Sequence, residues 1–189
     1  MKVSDAADMF EYARLPAVTE FLLWDPHPSL KYSRQYLETV QSSYREGRFY
    51  DWAIVLTNGG KMIGTCGYTT LTPEHDRAEI GYVLNPGYWG TGIASEAVRA
   101  VLAFGFRELD MNRIEAHFMK GNERSLRVTE RVGMSFEGYL RDYMLVKGTY
   151  RTIGIAAVTR DRFSGGDCYR RADVLPFWRN LIGKKQGPF

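Results

Sequence analysis

Two periodicities alternate along the chain. Near the start, Met9, Phe10 and Ala13 fall on one side of "AADMFEYAR", and Ser4 and Asp5 precede it as N-cap types. That pattern predicts a short helix. A proline-punctuated loop follows, "LLWDPHPSL". Apolar positions at Leu30, Leu37 and Tyr44 then return at helical spacing and predict a second helix over residues 29–46, stopped at Gly47. After it the period drops to two. "YDWAIVLT" and "KMIGTCGYTTL" are β-rich runs joined by "NGG", a hairpin signal, and "RAEIGYVL" reads as a third strand. Ala94, Val98, Val101, Gly105 and Leu109 mark the buried stripe of the next helix. "NRIEAHFM" is a strand with Ile114, Ala116 and Phe118 on one face. "NERSLRVTERVG" is a short helix with Asn122 at its N-cap and Gly133 past its end. "MSFEGYLRDYMLV" and "TYRTIGIAAVTRD" are two last strands around a "KG" turn. The order predicts an α/β fold with a mixed, mostly antiparallel sheet. Its one βαβ-like unit spans residues 78–118.

Composition narrows this little. The 189 residues are 44% hydrophobic and 25% charged, which suits one soluble domain with an appendage. No run is long enough to span a bilayer, and "MKVSDAADMF" lacks the apolar stretch of a signal peptide. Two cysteines, Cys66 and Cys168, fit a reducing compartment. The expectation is therefore a cytoplasmic protein without membrane contact. His27, His75 and His117 are scattered, so no metal site is expected. The net charge of +3 resides entirely in residues 163–189, which hold five basic and two acidic residues. Residues 1–162 read as the domain and residues 163–189 as a basic C-terminal extension. The domain has no stripe of basic and aromatic residues, which speaks against nucleic acid as a partner.

The densest chemistry lies in "NPGYWGTGIASEA". Gly87, Gly90 and Gly92 stand just before a helix. A helix N-terminus leaves several N–H groups unpaired and partly positive, and glycines let an anion approach them. A tight connection needing positive φ is the other reading of the same residues. The turn is not a Walker loop, because no Lys-Ser/Thr follows, and it lacks the dinucleotide fingerprint.

"AEIGYVLNPGYWGTGIASEAV", followed by "NRIEAHFMKGNERSLRVTERVGMSFEGYLRD", resembles the GNAT acyltransferases, and in particular the subgroup that includes ribosomal-protein N-terminal acetyltransferases. The resemblance implies a sheet with a splayed central V-cleft flanked by helices, and acetyl-CoA as co-substrate. In that family a turn written [Q/R]-x-x-G-x-[G/A] binds the pyrophosphate. Here it corresponds to Gly87, Tyr88, Trp89, Gly90, Thr91 and Gly92, with Ile93 and Ala94 opening the helix. Gly87 stands where the family has Gln or Arg. The family's strand before the turn carries a bulge, and its free backbone groups, here near Val83 and Leu84, pair with the pantetheine arm. Asn122 is implied to contact pantetheine, and Ser125 to lie near the thioester sulfur; Asn122 also reads as a simple helix cap. The loop "LLWDPHPSL" resembles the segment beside the acceptor site, which makes Trp24 and His27 candidate substrate contacts. A stiffened connection is the alternative there.

Acyl transfer to an amine needs a neutral amine, a donor to the carbonyl oxygen, and support for the leaving thiolate. The family's usual Tyr acid corresponds to Thr129, so Ser125 is the candidate acid. A Glu found in some relatives corresponds to Met144. Glu79 is then the leading candidate base, with Glu115, His117 and Asp142 as alternatives. An α-amine with a pKa of about 8 is neutralised near pH 7 at ~1.4 kcal/mol, a lysine at ~4.6 kcal/mol. That difference favours a weakly basic acceptor, such as a protein N-terminus, over a lysine. A small-molecule amine acceptor, or a non-catalytic acyl-CoA-binding module, is the competing reading. Two departures stand out. Only Met1, Lys2 and Val3 precede the first cap, so the family's first strand is expected to be shortened or missing. The extension is expected either to cover exposed sheet or form a homodimer contact, or to be a loosely ordered terminus.

Overall fold

The computed structural model describes residues 1–47 and 50–163. The readings made of the extension therefore lie outside the described residues, as does Cys168. Phe163, at the extension's start, packs its ring on Phe106 at 4.9 Å between centroids.

Helix α1 (Ala6–Ala13) buries Ala6, Met9, Tyr12 and Ala13. The sequence did not foretell α2 (Pro16–Thr19), whose four residues are too few to show a period. Helix α3 (Leu30–Arg45) starts at Ser29, whose hydroxyl accepts from the Tyr32 amide at 3.2 Å. Its buried stripe is Ser33, Leu37, Val40 and Tyr44. Leu30 was expected in that stripe but is 41% exposed.

Six strands form one sheet: β1 (Tyr50–Val55), β2 (Met62–Thr72), β3 (Arg77–Leu84), β4 (Arg113–Met119), β5 (Ser135–Val146) and β6 (Thr149–Thr159). Their order across the sheet is β1-β2-β3-β4-β6-β5. Only β3 and β4 run parallel; every other neighbouring pair is antiparallel. Helix α4 (Ile93–Arg107) crosses over between β3 and β4, and α5 (Glu123–Arg131) follows β4. The β5–β6 turn is made by Lys147 and Gly148, with φ of 49° and 76°. That pair of positive values suits a two-residue hairpin. Among the described residues no strand precedes α1, and no helix is long and apolar enough to cross a membrane.

The β3–β4 pairing decides the site. It holds at Arg77 with Arg113, Ala78 with Ile114, and Glu79 with Glu115, then stops. Strand β3 continues to Leu84 and β4 to Met119 without pairing. Beyond Glu79 the two strands part, and the sheet opens as a V. Strand β4 stays paired with β6 along its whole length. The bulge expected in β3 sits in β2 instead. Thr69 is the extra residue between the Tyr68–Ile80 and Thr70–Glu79 pairs, at the level where β3 leaves β4. An extra residue raises local twist, so a bulge on the neighbouring strand serves to swing β3 away. Gly81 makes room for it: a Cβ there would lie 2.6 Å from Thr69 Cγ2.

Alternation along the strands assigns two faces. Ala78, Ile80, Tyr82, Ile114, Ala116 and Phe118 join the main core with α4 and α5. Met62, Ala53 and Val83 pack on the opposite face with α1 and Leu37 of α3. Met119 and Ile153 lie on that second face near Phe21 and Met144.

Candidate active site

The splay forms a cleft of about 590 Å³. Glu79, Val83, Leu84, Tyr88, Trp89, Gly90, Gly92, Ala94, Asn122 and Ser125 all line it. Gly87, Thr91 and Ile93 belong to the same turn but do not line the cleft.

The turn divides its backbone groups. The Gly87 amide donates to Asn85 Oδ1 at 3.0 Å, and Asn85 is anchored through Nδ2 to Glu11 Oε1 at 2.9 Å. The amides of Tyr88 and Trp89 donate to the carbonyls of Asn85 and Pro86. Gly90 and Gly92 have φ of 78° and 91°, with nothing within 4 Å of where a Cβ would stand. The Glu96 amide makes the first bond of α4, to the Gly92 carbonyl. Helix geometry therefore leaves the amides of Ile93, Ala94 and Ser95 without an intrahelical acceptor. Ser95 Oγ, buried in the same first turn, has no partner among the described residues. Arg124, Arg127 and Arg131 line the cleft from α5. The Arg124 guanidinium sits 4.0 Å over the Trp89 ring. Open amides, an orphaned hydroxyl and three arginines at one mouth fit a diphosphate-bearing group.

On β3, the Asn85 amide donates to the Ile63 carbonyl of β2 at 2.7 Å. Alternation turns the backbone groups of Val83 toward β2 and those of Tyr82 and Leu84 into the splay. The Leu84 carbonyl accepts from Trp89 Nε1 at 2.8 Å.

The α4/α5 face of the V carries one hydroxyl pair. Tyr82 Oη lies 2.7 Å from Ser125 Oγ and 3.1 Å from the Ser125 carbonyl oxygen. Burial pushes the Tyr82 phenol up, so it stays neutral. Tyr82 was not singled out in the sequence, because an inward tyrosine on a strand reads as core. Asn122 Oδ1 accepts from the Ser125 amide at 3.2 Å, so it caps α5 while lining the cleft. Thr129 is fully buried and spends its hydroxyl on the Leu126 carbonyl at 2.7 Å.

The opposite face gathers three of the candidate bases. His117 Nδ1 is 3.5 Å from Glu79 Oε2, and His117 Nε2 is 3.0 Å from Glu115 Oε2. Glu115 Oε1 accepts from Arg113 Nε at 2.7 Å, and Arg113 also grips Glu137 with both amino groups. Burial raises the Glu115 pKa, but the bonds from Arg113 and His117 outweigh it and hold the carboxyl below its usual range. Glu115 thus stays ionised and orients His117. Glu79 and His117 line the cleft; Glu115 does not. Asp142 lies outside it, on the exposed bulge of β5 with φ of 48°.

Trp24 and His27 do not line the cleft. The His27 ring is 8% exposed, holds Ser33 Oγ at 2.7 Å, and packs on Trp24 at 5.2 Å. Burial lowers its pKa. The residues of that loop that do reach the cleft are Leu22 and Leu23, with Phe21 just before it.

A family model described as an acetyltransferase (GNAT) domain matches residues 1–135. An uncharacterized N-acetyltransferase of Bacillus licheniformis, p20, is 32% identical over 165 residues, covering 87% of this chain and 93% of its own length. The ribosomal protein uS5-alanine N-acetyltransferase of Escherichia coli is 25% identical over 131 residues, covering 69% and 68%. Among solved structures, a GNAT-family acetyltransferase from Bacillus anthracis superposes with a TM-score of 0.76 at 25% identity, over 85% of this chain and 92% of that one.

Proposed function

Because the chain belongs to the GNAT acetyltransferase family and is an N-acetyltransferase, we propose that it passes an acetyl group directly from acetyl-CoA to the α-amine of a protein N-terminus. The observation that carries this is the V-cleft with its phosphate-type cradle at one mouth and proton-handling groups on both faces. In this reading the open amides of Ile93, Ala94 and Ser95, reached past Gly90 and Gly92 and helped by the α5 arginines, hold the pyrophosphate. The splay-facing backbone of Leu84 and the side chain of Asn122 guide the pantetheine arm. Glu79, paired with the Glu115-oriented His117, takes the ammonium proton, directly or through one water. The amine attacks the carbonyl carbon, the C–N bond forms and the C–S bond breaks with its electron pair on sulfur. Ser125 Oγ donates a hydrogen bond to that sulfur, and the second proton, shed by the nitrogen as it becomes an amide, ends on the sulfur, so that CoA leaves as the thiol. An α-amine suits a site whose base is a single partly open carboxylate, since its deprotonation costs about 3 kcal/mol less than a lysine's. The Escherichia coli relative is named for N-acetylating an alanine of ribosomal protein uS5.

The test is release of CoA thiol from acetyl-CoA with N-terminal peptides and small amines, alongside calorimetry of acetyl-CoA binding. Peptide acetylation at the α-amine is expected. Glu79→Gln is expected to lower kcat roughly 100-fold with acetyl-CoA affinity unchanged. Tight acetyl-CoA binding with no thiol release for any acceptor would point to a binding module and remove the catalytic reading.

A further inference from the structure

The acceptor face of the cleft is nearly bare of charge. Among the described residues Glu79 is the only carboxylate lining the cleft. Its acidic neighbours are already engaged. Glu115 meets Arg113 at 2.7 Å and Arg77 at 3.8 Å, and Glu137 meets Arg113 at 2.5 Å. The cations that line the cleft, Arg124, Arg127 and Arg131, all stand on α5, where they serve the donor. Beside Glu79 stands His117, at 3.5 Å, and further along the cleft the lining is apolar, with Met119, Met144, Ile153 and the Phe21–Leu23 segment. Leu23 is 65% exposed at this mouth.

We infer that the acceptor carries a single ammonium on an apolar, otherwise uncharged body. Resting on the acetyl-transfer reading above, this specifies a peptide N-terminus whose first two side chains are small or apolar. One ammonium meets one carboxylate, and the apolar flank meets Leu22, Leu23 and Met144. A second ammonium finds no other carboxylate among the described residues lining the cleft and is set against apolar side chains, where an unpaired charge is disfavoured. A polyamine or an N-terminal pair with lysine is rejected on that ground. An acidic side chain is rejected by Glu79.

The experiment compares kcat/KM, by thiol release from acetyl-CoA with the full-length protein. The acceptors are an Ala-Leu-initiated peptide, the same peptide with Lys second, phenethylamine, and spermidine. The Ala-Leu peptide and phenethylamine are expected to exceed the other two by roughly tenfold or more. Met144→Glu, which adds a carboxylate to the apolar wall, is expected to shift the ratio toward spermidine by about tenfold. Spermidine or the Lys peptide matching the Ala-Leu peptide overturns the inference while leaving acetyl transfer intact. A lead for phenethylamine over every peptide keeps the singly charged, apolar acceptor and overturns its assignment to a peptide N-terminus. Silence with all four, with acetyl-CoA bound, sinks the underlying reading and this inference with it.

Discussion

One phenolic proton stands between two acceptors at the Tyr82–Ser125 contact. If Tyr82 donates to Ser125 Oγ at 2.7 Å, the serine proton is free to turn into the cleft. If Tyr82 donates to the carbonyl at 3.1 Å, the serine spends its proton on the phenol. The buried phenol stays protonated and so remains a donor. Tyr82 then acts through Ser125, as a positioning residue. Tyr82→Phe is expected to lower kcat about tenfold and leave KM for acetyl-CoA unchanged. Steady-state kinetics with Ser125→Ala and the double variant check this. The double variant should lose no more than Ser125→Ala alone, because the two hydroxyls work as a unit. A lower affinity for acetyl-CoA at unchanged kcat would assign Tyr82 to packing alone. The sequence pointed to Ser125 but not to its partner, which lies 43 residues away on a strand.

Among elements, α4 depends most visibly on what it crosses. The Tyr68 hydroxyl donates to the Val101 carbonyl at 2.5 Å and occupies the place of a side chain at position 105. A Cβ on Gly105 would stand 2.2 Å from that oxygen and 2.7 Å from Ile114 Cδ1. Gly105→Ala should therefore destabilise the fold by about 1–3 kcal/mol, although alanine is the better helix former by roughly 1 kcal/mol. Urea unfolding measures it, and equal or greater stability of the variant would refute the close approach. The buried stripe of α4 was legible because helical spacing is local. The reason for a glycine within it was not, since Tyr68 reaches it from another strand. Leu30 marks the same limit: spacing tells which face of a helix is apolar, not which of its residues a neighbour covers.

At the scale of the molecule, a carboxyl is buried where the helical layer meets the sheet, on a residue whose backbone carbonyl accepts from Tyr44 Oη of α3. Asp51 on β1 leaves Oδ1 without a partner among the described residues. Burial pushes its pKa up to about 7, against lowering by the Trp52 amide, the N-terminal ammonium and Thr65. With the folded value above the unfolded one, the folded state binds the extra proton. Stability from this group is full below pH of about 4, falls as pH rises toward about 7, and is flat above, where both states are ionised. Asp51→Asn should flatten that slope. Relative to the parent it should gain about 1–2 kcal/mol at pH 8, some 2–6 °C in Tm, and gain least at pH 4. Thermal melts across this range check it; a parent whose Tm rises between pH 5 and 8 more steeply than the variant's would reverse the sign.

The sequence by itself determined the kind and order of the elements, the four-residue α2 excepted. Period-two and period-3.6 patterns, the Lys147–Gly148 turn and the Asn122 cap depend only on residues a few positions apart. It also determined which face each strand residue takes, so Glu79, Glu115 and His117 were bound to share one side. What it left open was whether those faces would meet. That was decided by the loss of β3–β4 pairing after Glu79, aided by the Thr69 bulge on β2. The break opens the cleft, sets Tyr82 against Ser125 on one face, and gathers Glu79 and His117 on the other. Pairing between strands joins residues far apart in the chain, and its interruption leaves no mark in the local pattern of any one of them.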